Sequence, residues 1–412
     1  VCLPGPYIAS WLKLFWGRIS KGRKIIMRNG LKVYDADTHV GPSAEALRPH
    51  LSDKLLQLVP DLEDHRQEVK IGWAGEKFEP PFRHRYRFGQ REGWSKNKPR
   101  YLGEPGPREN AERHFQTFMG VTYPSVGGAD DDAAARLKDM DTEGSDVHFL
   151  VSSGGVGHPD PEVEMEFIYA QHRYLSAFCS ADPRRLKTCL TVTPQSIEGS
   201  LAEISRWGKE SWVVAVHPSL PLDYPLDHPD LYPIWEAAQE HDLCVIHHSL
   251  AWGYPGYRDL WGNPFIGRSA SHPWAAMRAI SSFIGSGLMD RFPEIRYGVL
   301  ESGFGWLPFW ANRLDDQAIY VGYTAELKHK ISDYIKGGRF FTSIEQHEGP
   351  QMAKHVNDLL GDHILMFGSD YPHAESRFPE SIDRTLAWQK VIGAEATKKM
   401  MWDNPVRFFG EP

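Results

Sequence analysis

The sequence predicts a distorted (β/α)8 barrel carrying a long insertion after its first strand. Three observations point there. Eight short apolar runs recur along the chain, amphipathic helix-like stretches separate most of them, and five of the eight end in Asp, Glu or His. Alternating strand and helix argues for a parallel sheet covered by helices, and eight repeats favour a closed barrel over an open one. No G-x-G-x-x-G follows the first run, so the dinucleotide fingerprint of the open alternative is missing.

In order, the runs are KVYDAD (32–37), DVHFLVS (146–152), LKTCLTV (186–192), WVVAVH (212–217), LCVIHH (243–248), RYGVLES (296–302), RFFTSIE (339–345) and ILMFGSD (364–370). Most are continuously apolar rather than alternating, as strands buried on both faces should be. The helix-like stretches include AAARLKDMD, EMEFIYAQHRYLSAFC, IEGSLAEISRWGK, YPIWEAAQEH, AAMRAISSFIGSGLMDRF and GPQMAKHVNDLLG. Trp306, Phe309 and Trp310 share a helical spacing that suits core packing or a subunit contact better than a platform for substrate.

Two segments stand outside this rhythm. Residues 1–26 hold an apolar stretch followed by a basic one, the reverse of a secretory signal, and Lys13 interrupts a run already too short to span a bilayer. They read as an extension or peripheral helix, with Met27 opening the barrel domain, 27–412. Residues 40–130 are too long for one connection, and long loops of this kind usually serve as lids or insertions. The insertion is rich in arginine, including Arg83, Arg85 and Arg87. After a first strand it would overhang the barrel face that carries active sites. Two readings stand: arginines that meet an anionic or carboxylate substrate, or a solvated surface or oligomer contact.

Composition sets the limits. A net charge of -8 argues against a nucleic-acid binder. The four cysteines are scattered without C-x-x-C spacing, which implies no disulfide framework and a reducing, cytoplasmic setting. Nineteen histidines invite a search for metal or acid–base chemistry.

That chemistry collects at the strand ends. In a barrel these ends share one mouth, so groups far apart in sequence can converge. They read Asp37-Thr-His39, His217, His247-His248, Glu301, Glu345 and Asp370. Asp37 and His39, two apart on a strand, face the same side and can grip one ion. Imidazole and carboxylate together suit zinc, manganese, iron or cobalt.

VYDADTHV, RLKDMDTEGSDVHFLV, AVHPSLP, LCVIHHS, LMDRFPEIRYGVLESGFGW and ILMFGSDYPH together resemble the amidohydrolase-related family that includes aminocarboxymuconate semialdehyde and γ-resorcylate decarboxylases. The resemblance implies one tightly held divalent metal, with zinc the first expectation, manganese or iron the alternatives, and room for a second ion. It implies ligands at Asp37, His39, His247 and Asp370. His248 falls where the family often has proline, so the resemblance gives it no ligand role. The family decarboxylases carry a histidine in an H-G-G segment where this chain has Glu301. His217 and His373 are expected to touch substrate or support a ligand. A homodimer is also expected.

Three functions compete at this stage. The first is hydrolysis of a small, anionic organic substrate by metal-activated water, with Glu301 and Asp370 handling protons. The alternative is non-oxidative decarboxylation of an aromatic or unsaturated acid. The third, a metal-binding protein without catalysis, predicts missing ligands, whereas the full set is present.

Overall fold

A computed structural model describes residues 28, 30–70, 82–88, 130–152, 158–221, 224–248, 264–325, 327–373 and 376–412. Residues 1–26 and most of the arginine-rich insertion therefore lie outside the described residues.

Ten strands are described: β1 (Tyr34–Val40), β2 (Arg66–Glu68), β3 (His84–Tyr86), β4 (Val147–Ser152), β5 (Leu186–Val192), β6 (Val213–Pro218), β7 (Cys244–His248), β8 (Tyr297–Leu300), β9 (Phe340–Ser343) and β10 (Leu365–Met366). All but β2 and β3 form one parallel sheet in the order β1-β4-β5-β6-β7-β8-β9-β10. The Ala36 amide donates to the Phe367 carbonyl and the His39 amide to the Tyr371 carbonyl, which brings the last strand round to the first. Each of the eight apolar runs supplies one barrel strand. β2 and β3 pair antiparallel inside the insertion.

The helices between strands follow from local chemistry. Asp132 caps helix Ala133–Glu143 by accepting from the Ala134 amide, and Gly144 ends it at φ 89°. Asp160 caps helix Pro161–Cys179, with Pro161 at the first turn where its missing N–H costs nothing. Their apolar faces, with Phe167, Ile204, Trp235, Phe283 and Val356, form the larger core between strands and helices. Cys179, Cys189 and Cys244 are free and buried. Among the described residues no helix is long and apolar enough to cross a membrane.

A second core fills the barrel itself. Every barrel strand contributes to it, from Tyr34 and Ala36 to Phe341 and Met366. Its floor comes from the last helix, Asn404–Phe409. Phe409 stacks on Phe149 at 4.2 Å and on Tyr34 at 5.5 Å between ring centroids. Phe408 fills the space that Gly298 leaves open, because a Cβ there would lie 2.4 Å from its ring. The Phe408 carbonyl accepts from Arg296 Nε at 2.6 Å.

The two aromatic rings thus stopper the barrel end opposite the mouth. Phe408→Ala should lower the unfolding free energy by about 3–5 kcal/mol, the usual cost of an emptied aromatic site. Urea denaturation measures it, and a loss below roughly 1 kcal/mol would show that the barrel closes without the plug.

Candidate metal centre

Alternation along a strand decides which side chains reach the mouth. In β1, Tyr34 and Ala36 face the barrel interior. The register with β4 then slips between Asp35 and Thr38, a bulge that reverses the phase. Asp37 and His39 are therefore the residues that turn inward at the mouth. In β7, Cys244 and Ile246 face the interior, while Val245 packs in the outer layer. His248 continues the inward phase, and His247 the outward one.

The site follows from these phases. Asp37, His39, His248 and Glu301 offer ligand atoms within 4.8 Å of one another, and so do His39, Glu301, Asp370 and His373. His39 Nε2 lies 2.9 Å from Asp370 Oδ1, 3.2 Å from Glu301 Oε2 and 3.6 Å from Asp37 Oδ1. His248 Nε2 lies 3.2 Å from Glu301 Oε2 and 3.4 Å from Asp37 Oδ1. His373 stacks on His39 at 3.9 Å and brings Nδ1 to 2.7 Å from Asp370 Oδ1. Of the expected ligands, Asp37, His39 and Asp370 converge. His247 belongs to neither group, and its neighbour His248 stands where it was expected.

Two of the carboxylates sit on unusual backbone. Glu301 and Asp370 have φ of 44° and 58°, the left-handed region that non-glycine residues rarely enter. Each such residue costs of order 1–3 kcal/mol and persists only where its surroundings hold it. Ser343 provides part of that hold. Its hydroxyl accepts from the Glu301 amide at 3.0 Å and donates to Asp37 Oδ2 at 3.1 Å. The Asp370 amide donates to the Asp37 carbonyl at 2.9 Å. Asp35 lies beneath, accepting from the amides of Asp37 and Ser369. Gly368 allows this proximity, since a Cβ there would meet the Asp37 Cβ at 2.9 Å.

Electrostatics test whether a cation fits. Burial alone would push the His39 imidazole down, but the carboxylates of Asp370 and Glu301 outweigh it and raise it to about 9. Burial opposes His248 too, and Asp37 with Glu301 raise it well above the usual histidine range. Glu301 resists burial and is held well below the carboxylate range by His248 and His39. Asp370 is raised to about 6 by burial and by Glu301. The carboxylates thus demand positive charge between them. Asp37 Oδ1, His39 Nε2 and Asp370 Oδ2 are buried with no hydrogen bond among the described residues. A divalent cation meets both conditions, so the residues fit the metal that the sequence leads one to expect.

The surroundings complete the picture. His217 points toward the site, its ring 6.2 Å from that of His248, and burial with the nearby His248 and His39 lowers it to about 3. His272, on helix Pro264–Phe283, brings Nδ1 to 4.0 Å from Glu301 Oε1. Sequence reasoning missed His272, because a histidine on a following helix carries no strand-end signal. A cavity of about 150 Å³ opens beside Asp370, lined by Glu345, Gln346, His347, Gly368, Ser369 and Arg377. Arg83 has other duties than substrate. It is buried, faces Asp130 and Asp131 at 3.2 and 3.1 Å, and donates to the Gly41 carbonyl. Arg85 and Arg87 are exposed.

The amidohydrolase profile matches residues 114–410. The chain belongs to the amidohydrolase family. Within reach of this amidohydrolase by sequence is decarboxylase yanB of Aspergillus niger, 25% identical over 191 residues, or 45% of this chain and 50% of that protein. The chain thus aligns with about half the length of the curated relative it matches. Among solved structures, 5-carboxyvanillate decarboxylase from Sphingomonas paucimobilis superposes with a TM-score of 0.59 at 19% identity, covering 93% of this chain and 100% of that one. The Novosphingobium aromaticivorans 5-carboxyvanillate decarboxylase, complexed with manganese and 4-hydroxy-3-methoxy-5-nitrobenzoic acid, gives 0.63 at 18% identity, covering 95% and 99%. The structural likenesses establish the barrel fold. These three relatives are decarboxylases.

Ser343 ties β9 to both β1 and the turn after β8, and Ser343→Ala leaves two buried groups without it. The change should cost roughly 1–3 kcal/mol of stability, the penalty for unsatisfied buried polar groups. It should also weaken metal binding about 10–100-fold, the usual effect of losing a ligand's support. Thermal denaturation and chelator competition read the two effects, and a variant unchanged in both would show that Ser343 positions neither carboxylate.

Proposed function

We propose that this amidohydrolase-family enzyme is a metal-dependent, non-oxidative decarboxylase of a hydroxylated aromatic carboxylic acid. One observation carries the choice against hydrolysis. Glu301 Oε2 lies 3.2 Å from both His39 and His248. That supports a ligand role for Glu301 and leaves the proton work to the ligand carboxylate that borders the open cavity, Asp370. The names of the decarboxylase relatives support the same reading.

Asp37, His39, His248, Glu301 and Asp370 would hold one divalent ion. The two donor groups share His39 and Glu301, which favours a single centre over two. Three carboxylates among five donors favour manganese, with zinc the alternative. Such an ion would supply a fixed positive charge for the oxygen atoms of an acidic substrate.

The protein's own groups handle the proton. Asp370 borders the cavity, which puts its carboxyl where a substrate can meet it. In this reading its carboxyl protonates the ring carbon that bears the substrate carboxylate. The bond from that carbon to the carboxylate carbon then breaks, its electron pair restores the aromatic ring, and carbon dioxide leaves. His373, 2.7 Å from Asp370 Oδ1, returns a proton to the aspartate. His217 and His272 lie beside the ligand cluster and in this reading orient the substrate.

With 2,6-dihydroxybenzoate or 5-carboxyvanillate as probes, the manganese-loaded enzyme should release carbon dioxide and place one solvent deuterium on the vacated carbon. Inert toward both acids, but forming oxygen-18-labelled product from an ester or amide in labelled water, the enzyme would instead be a hydrolase. The ligand set has its own test. His248→Ala should lower both metal content and turnover by about 10²-fold or more, while His247→Ala keeps the metal. The opposite pattern would return the ligand role to His247.

A further inference from the structure

Glu348 stands at the N-cap of helix Gly349–Leu360, yet its side chain makes no capping hydrogen bond there. The carboxylate reaches instead to the loop between β8 and helix Leu307–Val321. Its Oε2 accepts from the Phe304 amide at 3.0 Å and from the Gly305 amide at 2.7 Å. Glycine makes this contact possible. Gly303 has a φ of 70°, and a Cβ there would overlap Glu348 Oε1. A Cβ on Gly305 would lie 3.2 Å from Oε2. The segment Gly303-Phe304-Gly305 is thus shaped around one carboxylate from the neighbouring connection.

That segment carries Glu301, since only Ser302 separates it from Gly303. Trp306 Nε1 donates to the Ser302 carbonyl at 2.8 Å, and Ser302 Oγ donates to the Leu300 carbonyl at 2.9 Å. The loop is short and tied, so a hold on residues 304 and 305 is felt at 301. Glu301 needs such a hold, because left-handed backbone persists only where its surroundings fix it. Ser343 takes the Glu301 amide from the N-terminal side. Ser343 ends β9, and Glu348 lies in the turn that follows. One connection therefore grips the Glu301 backbone from both directions.

We propose that Glu348 is a positioning residue for the metal centre. It stands outside both donor groups, and it anchors the loop that aims the Glu301 carboxylate at the cation. The proposal rests on the reading of Glu301 as a metal ligand. The task requires an acceptor oxygen placed at the two amides, whereas a negative charge adds only the modest preference of a helix N-terminus for anions. Without the anchor the loop gains backbone freedom, Glu301 leaves its left-handed conformation for part of the time, and the cation is held less tightly.

Manganese affinity of the full chain, read by chelator competition, tests this. Glu348→Ala should raise the manganese dissociation constant about tenfold. Glu348→Gln keeps an acceptor oxygen and should stay within about threefold of wild type. Glu348→Asp keeps the charge but withdraws the oxygen by one methylene, and should lose affinity as alanine does. It also serves as the second variant should Glu348→Ala fail to fold, which circular dichroism melts would reveal. A double-mutant cycle separates positioning from general loosening. In a Glu301→Ala background, Glu348→Ala or Glu348→Asp should weaken manganese binding by no more than about a further twofold. Equal losses in the two backgrounds would overturn the proposal, as would a glutamine variant as weak as alanine. Wild-type affinity in both Glu348→Ala and Glu348→Asp would overturn it too. Wild-type affinity in Glu301→Ala itself would remove the ligand reading, and the proposal with it.

Discussion

Three carboxylates share the mouth of this barrel within reach of two imidazoles, and like charges do not gather in a buried space without compensation. Ionised carboxylates removed from water need counter-charge or protons. Here both remedies are visible in the protein alone, with His39 drawn toward its charged form and Asp370 toward its neutral one. The rest of the architecture serves that concentration of charge. The eight-stranded sheet supplies a rigid ring, and the parallel direction of its strands brings every C-terminal end to the same rim.

Holding the charges there requires local departures from regular structure. The bulge in β1 gives Asp37 and His39 the inward phase that Tyr34 and Ala36 hold deeper in the barrel. Glu301, directly after β8, and Asp370, in the loop after β10, both adopt left-handed backbone. Such distortion is tolerated because the sheet around it is overdetermined, with Ser343 and Gly368 fitted between the strands that diverge. Preorganisation of this type places the reorganisation cost in folding rather than in each turnover. The aromatic plug and the strained rim are therefore complementary, since a firm floor lets the mouth carry strain.

Much of this was legible in the amino-acid order. Eight apolar runs became eight strands, because parallel strands covered on both faces must be apolar throughout. That same property hid which of His247 and His248 faces inward. A run without alternation carries no phase, and the bulge in β1 shows that phase can change within a strand. Proline at the neighbouring position in relatives pointed to His247, whereas alternation from Cys244 and Ile246 points to His248. Arg83 misled for a different reason. Clustered arginines look like an anion site until their partners are known, and Asp130 and Asp131 lie far along the chain from it. His272 gave no signal, because its nearness to Glu301 arises from helix packing and not from any strand.

The plug formed by Phe408 and Phe409 bears on how the chain comes to be folded at all. Synthesis proceeds from the N-terminus, and domains fold as units during it. The rings that complete the barrel interior belong to the final helix, packed against Tyr34 near the first strand. A growing chain can lay down strand after strand without enclosing its inner core, and the hydrophobic lumen stays open at one end until the final helix has left the ribosome. Completing the interior therefore waits on a contact between residues near opposite ends of the barrel domain, Tyr34 and Phe409.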